Sequence, residues 1–387
     1  MTTPERLMTD RARCVDGSGI RRAFQLGATL EDPINLSIGQ PDFEVPEPLR
    51  RAAIEAIEQG RNGYTLTGGA DDLRAAISAH LQVDPGWRVD GDNLELLVTS
   101  GTSGGLLLAM LVLCESGCEA IIPDPYFVVY PALGPMTGAT MVTCDTYPDF
   151  RMTADRVEPL ITDRTKVVLV NSPANPTGVV LRDDELRDLA DLCESRGVML
   201  IADEIYDLFT YRDGLGASGT CPSPARYTEN MLLVRGFGKT YGCTGWRMGY
   251  AAGPSWLIAE MAKFQQYSFV CAPSISQAGL VGAFDVDMSG VVDAFERRRD
   301  LLREAFAEVA DVSDCCGAFY GFVKVPEHLG MTATRFCEEA IKHNVVVIPG
   351  NVFSDRDTHL RISFACPDEK LEAGLSILAD MMRPACV

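Results

Sequence analysis

Five short stretches constrain what this chain can fold into more than any other feature: LELLV (94–98), EAII (119–122), KVVLV (166–170), VMLI (198–201) and MLLV (231–234). In each, apolar residues follow one another instead of alternating with polar ones. A strand with one wet face alternates, whereas a strand covered on both faces has no reason to, so these runs predict a mostly parallel sheet with helices on either side. Helical text lies beside them. Pro48 to Gln59 has proline near its start and Gly60 after its end, and in Ala70 to Leu81 the residues Leu73, Ala76, Ile77, His80 and Leu81 share one face. The pattern is α/β from about residue 48 to 290. Beyond that, a long charged helix (FERRRDLLREAFAEV) and two strands, GAFYGFVKV and HLRISFA, suggest a smaller α+β unit.

Charge narrows the partners. The 387 residues hold 34 Lys and Arg against 54 Asp and Glu, a formal charge of −20, with 47% hydrophobic residues. Such a surface repels phosphate backbones and anionic lipid, and no basic cluster offsets it, so nucleic-acid and membrane-surface roles are disfavoured and small molecules are the expected partners. The longest apolar run, Leu106 to Cys114, is nine residues, against roughly 20 for a membrane span. The opening MTTPERLMTDRAR is charged, with no apolar stretch or cleavage site after it, and the expected location is cytoplasmic. Thirteen cysteines without a C-x-x-C, and four histidines (His80, His328, His343, His359) without ligand spacing, predict reduced thiols and no metal site.

In a parallel sheet the ligand crevice lies beyond the carboxyl ends of the strands, so chemistry is sought in the residues just past each run. After LELLV comes Thr99-Ser100-Gly101-Thr102-Ser103-Gly104-Gly105 and then an apolar helix. Backbone N–H groups, hydroxyls and a helix N-terminus converge there as a phosphate would require, although a Gly-rich turn alone is more often only a turn. After KVVLV comes Asn171-Ser172-Pro173-Ala174-Asn175-Pro176-Thr177-Gly178, and after VMLI comes Asp203-Glu204-Ile205-Tyr206. Asp203 by itself reads better as a cap of the short helix that follows, and a buried carboxylate there would need a cationic partner. After MLLV come Gly236-Phe237-Gly238-Lys239 and then Thr244-Gly245-Trp246-Arg247-Met248-Gly249. In HLRISF, strand alternation sets Leu360, Ile362 and Phe364 on one face and His359, Arg361 and Ser363 on the other, which frees Arg361 to point into a cleft.

Together these pieces resemble, in order and spacing, the pyridoxal-phosphate-dependent aminotransferases of the aspartate aminotransferase family (fold type I, classes I and II). The resemblance runs from LSIGQPDF (36–43) to LRISFA (360–365) and rests on the NPTG run, on Asp-x-x-Tyr after a strand, and on K-x-x-x-x-T-G-W-R-x-G. It implies a large domain over 48–290 with a mostly parallel seven-stranded sheet, and a small α+β domain formed by 1–47 together with 291–387. It implies that Lys239 joins the cofactor aldehyde and shuttles the substrate proton, that Asp203 pairs with the pyridinium nitrogen, and that Asn175 and Tyr206 bond the ring's phenolic oxygen. Phe127 in PDPYF would stack on the ring, with Tyr126 beside it as the alternative. The phosphate would rest on Gly101, Thr102, Ser103 and Arg247, and on Tyr64 of a second subunit, since Tyr64 stands in Y-x-x-x-x-G-x-x-x-L-R. Arg361 would grip the substrate α-carboxylate, a task suited to a planar two-pronged donor, with Gly39 and Asn175 close by.

The implied activity is transfer of an amino group from an α-amino acid, with an aspartate-like or aromatic donor first, to a 2-oxo acid such as 2-oxoglutarate, by a homodimer with shared sites. A carbon–sulphur β-lyase or a cyclopropane-forming synthase would use the same lysine, aspartate and arginine. A non-enzymatic regulator of this type would carry a helix-turn-helix module, for which the roughly 35 residues before the first motif are too few. Donor specificity would draw on the N-terminal segment, Ser18 to Arg22 being the candidate. One departure stands out: relatives commonly have serines three and one residues before the lysine, where this chain has Gly236 and Gly238, so the phosphate would lack a hydroxyl.

Overall fold

The computed structural model describes residues 4–15, 17, 19, 30–89 and 91–384. Of the stretch Ser18 to Arg22, only Gly19 lies among the described residues. After a short strand β1 (Ile34–Asn35), seven strands form the central sheet: β2 (Leu94–Ser100), β3 (Glu119–Asp124), β4 (Thr140–Asp145), β5 (Thr165–Asn171), β6 (Met199–Asp203), β7 (Met231–Gly236) and β8 (Met248–Pro254). Their order is β2-β8-β7-β6-β5-β3-β4. Strands β3 to β7 run parallel to one another, and β8 is antiparallel to both β2 and β7.

All five apolar runs are strands of this sheet, and the cores explain their continuity. Val168, Val170, Leu200 and Leu233 enter the core on one face, while Val167, Leu169, Ile201, Leu232 and Val234 enter the core on the other. The apolar positions of these runs are therefore inside, on alternating faces, while the charged residue that opens KVVLV, Lys166, stays exposed. Two strands carry no such run. The edge strand β4 (TMVTCD) has a single neighbour and stays partly exposed, and β8 (MGYAAGP) is buried throughout but built from small residues. Small size is what β8 needs. A Cβ on Gly249 would stand 2.8 Å from the Gly101 carbonyl carbon and the Thr102 nitrogen, so its absence lets the turn after β2 lie against the sheet.

The helices Glu47–Glu58 and Asp71–Val83 match the periodicity, the second burying Leu73, Ile77 and Leu81 and leaving Ala76 and His80 partly covered. In the C-terminal part, β9 (Tyr320–Lys324), β11 (Ile348–Pro349) and β12 (His359–Ser363) make an antiparallel sheet in the order β11-β12-β9, and β10 (Val345–Val346) pairs in parallel with β1. The N-terminal segment thus joins the C-terminal part. Helix Ser289–Phe306 packs against helix Asp368–Met382, over a core of Phe295, Phe319, Phe336, Leu360, Ile362 and Phe364 that also takes in Tyr206 and Phe209 from the segment after β6. Among the described residues no helix is long and apolar enough to cross a membrane, and no group of side chains could hold a metal ion.

Candidate active site

The parallel strands β3, β5, β6 and β7 end at one edge, and the residues just past those ends, with the turn between β2 and its helix, surround a cavity of about 790 Å³. Of the cofactor and substrate residues named from sequence, all line it except Tyr64 and the alternative stacker Tyr126. Phe127 is on the wall; Tyr126 is not.

Lys239 lies on a one-turn helix, Phe237–Thr240, directly after β7, anchored by the buried side chains of Phe237 and Thr240. Its amine donates a hydrogen bond to the Gly39 carbonyl and sits 5.8 Å from the centre of the Phe319 ring. Burial, then the cations of Arg361 and Arg247, push its pKa down to about 8. An amine so placed is a competent nucleophile and base near neutrality.

Asp203 is the last residue of β6 and only 2% exposed. Its Oδ2 accepts from the Tyr130 hydroxyl at 2.8 Å, and its Oδ1 from the Ile205 N–H at 3.3 Å. Burial pushes its pKa up to about 6, against the pull of those two donors. Among the described residues no ion pair reaches it. The adjacent Glu204 turns to the opposite side and pairs with the buried Arg235 at 2.9 Å, and Arg235 also meets Asp84 at 3.1 Å. That guanidinium is committed elsewhere. Asp203 is a buried carboxylate on the cavity wall with no ion-pair partner among the described residues.

Arg361 presents the converse. On β12 it is 1% exposed, with Nη1 donating to Asn175 Oδ1 at 3.0 Å and Nη2 to the Ser37 carbonyl at 2.8 Å, and with Nε unpartnered. Tyr320 and Phe353 face the guanidinium, their ring centres 4.5 and 4.7 Å from its carbon. No carboxylate among the described residues reaches it. A buried cation held only by neutral groups is strongly favoured to bind an anion.

Asn175 is held by Asn171, whose Oδ1 accepts from the Asn175 N–H at 2.8 Å and whose Nδ2 donates to the Asp203 carbonyl at 2.8 Å. The NPTG glycine, Gly178, has φ +71°, and a Cβ there would stand 2.4 Å from the Tyr320 carbonyl oxygen, so glycine is what lets this run meet β9. Tyr206 places its hydroxyl 3.1 Å from that of Tyr320.

Thr102 and Ser103 open helix Gly101–Leu113, whose N-terminal N–H groups have no side-chain cap. Gly101 takes φ +70°, and a Cβ on it would lie 2.7 Å from Arg247 Nη2. Arg247, at the left-handed φ of +56°, reaches back over this turn from the start of β8. Helix N-terminus, two hydroxyls and a guanidinium form an anion cradle. Gly236 and Gly238 differ in the room beside them. A Cβ on Gly236 would meet Ile205 Cδ1 at 2.8 Å and Thr102 Cγ2 at 3.0 Å, whereas on Gly238, which lines the cavity, the nearest atom is Thr244 Cα at 3.4 Å.

Tyr64 is 85% exposed and away from this chain's own cavity. Around it the surface carries exposed Leu66, Tyr267, Phe269 and Val270, and Gln265 ties the two segments by donating to the Thr67 carbonyl at 2.7 Å. Sequence reasoning passed over Tyr130, Tyr320, Ser37 and Asn171. Asn171 stood first past KVVLV and Ser37 stood within LSIGQPDF without being given a role; Tyr130 and Tyr320 carry no local signal.

The family model for aminotransferase class I and II matches residues 31–378. The putative aminotransferase YugH of Bacillus subtilis is 36% identical, covering 95% of this chain and 96% of its own length. Aromatic-amino-acid aminotransferase 2 of Thermococcus litoralis is 31% identical, covering 97% and 98%. Among solved structures, an aspartate aminotransferase single mutant from Thermus thermophilus superposes with a TM-score of 0.88 at 31% identity, over 96% of this chain and 99% of that one. With the fold, the cavity and these likenesses in agreement, the chain belongs to the class I and II aminotransferases and is a transferase of the EC 2.6.1 type.

Proposed function

We propose that the chain transfers the amino group of an α-amino acid, aspartate-like or aromatic, to 2-oxoglutarate, using pyridoxal phosphate held by Lys239 in a cytoplasmic homodimer with shared sites. One observation carries the reading: a partly buried amine, Lys239, shares one cavity with a buried carboxylate, Asp203, and a buried guanidinium, Arg361, neither of which has an ion-pair partner among the described residues. A zwitterionic amino acid and a cationic pyridinium complete both pairs. When bound, the cofactor supplies an aldehyde that takes the amino group and a ring that withdraws the electron pair left on the α-carbon.

The chain's own residues do the rest. The helix N-terminus at Thr102 and Ser103, with Arg247, holds the phosphate, and Phe127 and Asn175 fix the plane and edge of the ring. Asp203, buried and bonded through both oxygens, holds the ring nitrogen's proton in place. Arg361 orients the substrate by its carboxylate, which sets the α-hydrogen toward Lys239, the base that takes it. Tyr64 of the partner subunit completes the phosphate cradle, supported by its exposure within an apolar surface. The large domain is taken as 48–290 and the small one as 1–47 with 291–387. The twelve described cysteines, all free, favour a reducing compartment. The donor range follows the names of the relatives.

Borohydride reduction of the cofactor-loaded protein should fix the label to a peptide containing Lys239, and Lys239→Ala should fold yet take no label. Mixing enzyme with donors and no acceptor should convert the chromophore once, stoichiometrically, to the amino form of the cofactor, and 2-oxoglutarate should restore it. Labelling of another lysine would overturn the site. Continuous release of pyruvate and ammonia from a β-substituted donor, with no stable amino form from any donor, would move the protein to β-lyase chemistry.

A further inference from the structure

Tyr320, the first residue of β9, has no part in any motif, yet its buried side chain touches three separate parts of the site. Its hydroxyl lies 3.1 Å from the Tyr206 hydroxyl. Its ring centre is 4.5 Å from the Arg361 guanidinium carbon. The same hydroxyl would be 2.8 Å from a Cβ on Gly39, whose carbonyl receives the Lys239 amine. Packing leaves it little freedom: Phe319 lies 4.8 Å away and the Tyr206 ring meets it edge-on at 87°.

Two phenols at this distance share one hydrogen bond, and its direction matters. If Tyr206 donates to Tyr320, its only proton is spent within the wall. If Tyr320 donates, the Tyr206 proton is free to enter the cavity. The surroundings choose between these. Burial raises the pKa of both phenols, and the Arg361 cation, 4.5 Å from the centre of the Tyr320 ring, offsets this directly for Tyr320; at Tyr206 the pull of the same cation is opposed by the charge of Asp203, so Tyr320 is the more acidic phenol and the better donor.

We propose that Tyr320 is a positioning residue that donates its phenolic proton to Tyr206, so that the Tyr206 proton is aimed into the cavity at the ring oxygen of the cofactor. The proposal rests on the cofactor reading above. It makes β9, a strand of the C-terminal part, responsible for the donor strength of a tyrosine that follows β6, and it joins the carboxylate-binding arginine to that tyrosine through one aromatic ring.

The test is an absorbance titration of the lysine-bound cofactor in the holoenzyme, for the wild type, Tyr320→Phe, Tyr206→Phe and the double variant. A weaker donor at the ring oxygen leaves the negative oxygen less stabilised, so the chromophore holds its proton to higher pH. Tyr320→Phe should raise the chromophore's pKa by about half a unit, the share of one ordinary hydrogen bond, and Tyr206→Phe by more. The double variant should titrate with Tyr206→Phe, because Tyr320 acts only through Tyr206. Tyr320→Phe keeps its ring against Arg361, so KM for the donor should hold while kcat falls. A titration unmoved by Tyr320→Phe but moved by Tyr206→Phe would overturn the proposal and leave the cofactor reading standing, as would shifts that add in the double variant. A wild-type protein that forms no chromophore would overturn both.

Discussion

Removing the Tyr130 hydroxyl isolates what holds Asp203 in its buried, ionisable state. In Tyr130→Phe the ring stays, edge-on to Phe127 at 5.7 Å, and only the 2.8 Å bond to Asp203 Oδ2 is lost. A hydrogen bond to an ionised group contributes about 1.5–3 kcal/mol and one to a neutral group about 0.5–1.5 kcal/mol, so the loss depends on whether Asp203 carries its charge. Its pKa is raised in the folded state to about 6, from an ordinary value of 3.8. The folded chain therefore binds the extra proton between these values, and the stability linked to Asp203 is full below pH 3.8 and declines as pH rises through about 6. Without the phenol the folded pKa should rise by about one further unit, the difference between the two bond strengths. Denaturant unfolding of the cofactor-free protein should then show a cost of about 1.5–3 kcal/mol at pH 8 and about 0.5–1.5 kcal/mol at pH 5. An equal cost at both pH values would refute the reasoning, because it would mean that the phenol does not sense the charge on Asp203.

The same geometry sets the outcome of other perturbations. Tyr64→Phe should weaken cofactor binding by about 1–3 kcal/mol, read by equilibrium dialysis, while sedimentation shows a dimer; a fully active monomer, or unchanged retention in the variant, would count against a shared site. Gly236→Ser should cost about 1–3 kcal/mol in unfolding experiments because its Cβ meets Ile205 and Thr102, whereas Gly238→Ser should stay within about 0.5 kcal/mol of the parent and retain the cofactor at least as well. The rate at which the cofactor-free protein takes up pyridoxal phosphate should climb with pH to a midpoint near the Lys239 value of about 8, since only the neutral amine attacks. Arg361→Met, by removing one of the two cations that depress that pKa, should carry the midpoint upward; a pH-independent rate would contradict the assignment.

Much of the site was legible because the strand ends that carry it are announced by the strands themselves. Once KVVLV, VMLI and MLLV read as strands buried on both faces, Asn175, Asp203 and Lys239 fall where parallel strands deliver side chains to a crevice. Strand β8 escaped the same reasoning because its selection is for smallness, not apolarity: Gly249 is there to let the Gly101 turn approach. Edge strand β4 escaped because it stays partly exposed and carries no continuous apolar run, unlike the other edge strand β2, which is mostly buried. The thin phosphate shell inferred from Gly236 and Gly238 acquires a cause only in three dimensions, where Gly236 has no room for a side chain and Gly238 does.

By itself, the order of residues determined five of the seven strands and so the place of the crevice, and the family resemblance of its motifs marked the amine, carboxylate and guanidinium that face it. These depend on local periodicity and on spacing from strand ends, which a linear text preserves. Tertiary structure alone decided how each group is tuned: that Tyr130 supports Asp203, that Tyr320 stands between Tyr206 and Arg361, and that the Ser37 carbonyl, 324 residues away in the chain, steadies that arginine. Such contacts join residues from different helices, strands and loops of both parts of the chain, and hydrogen bonding at about 3 Å is set by where the packed elements come to rest, a relation with no counterpart in sequence distance.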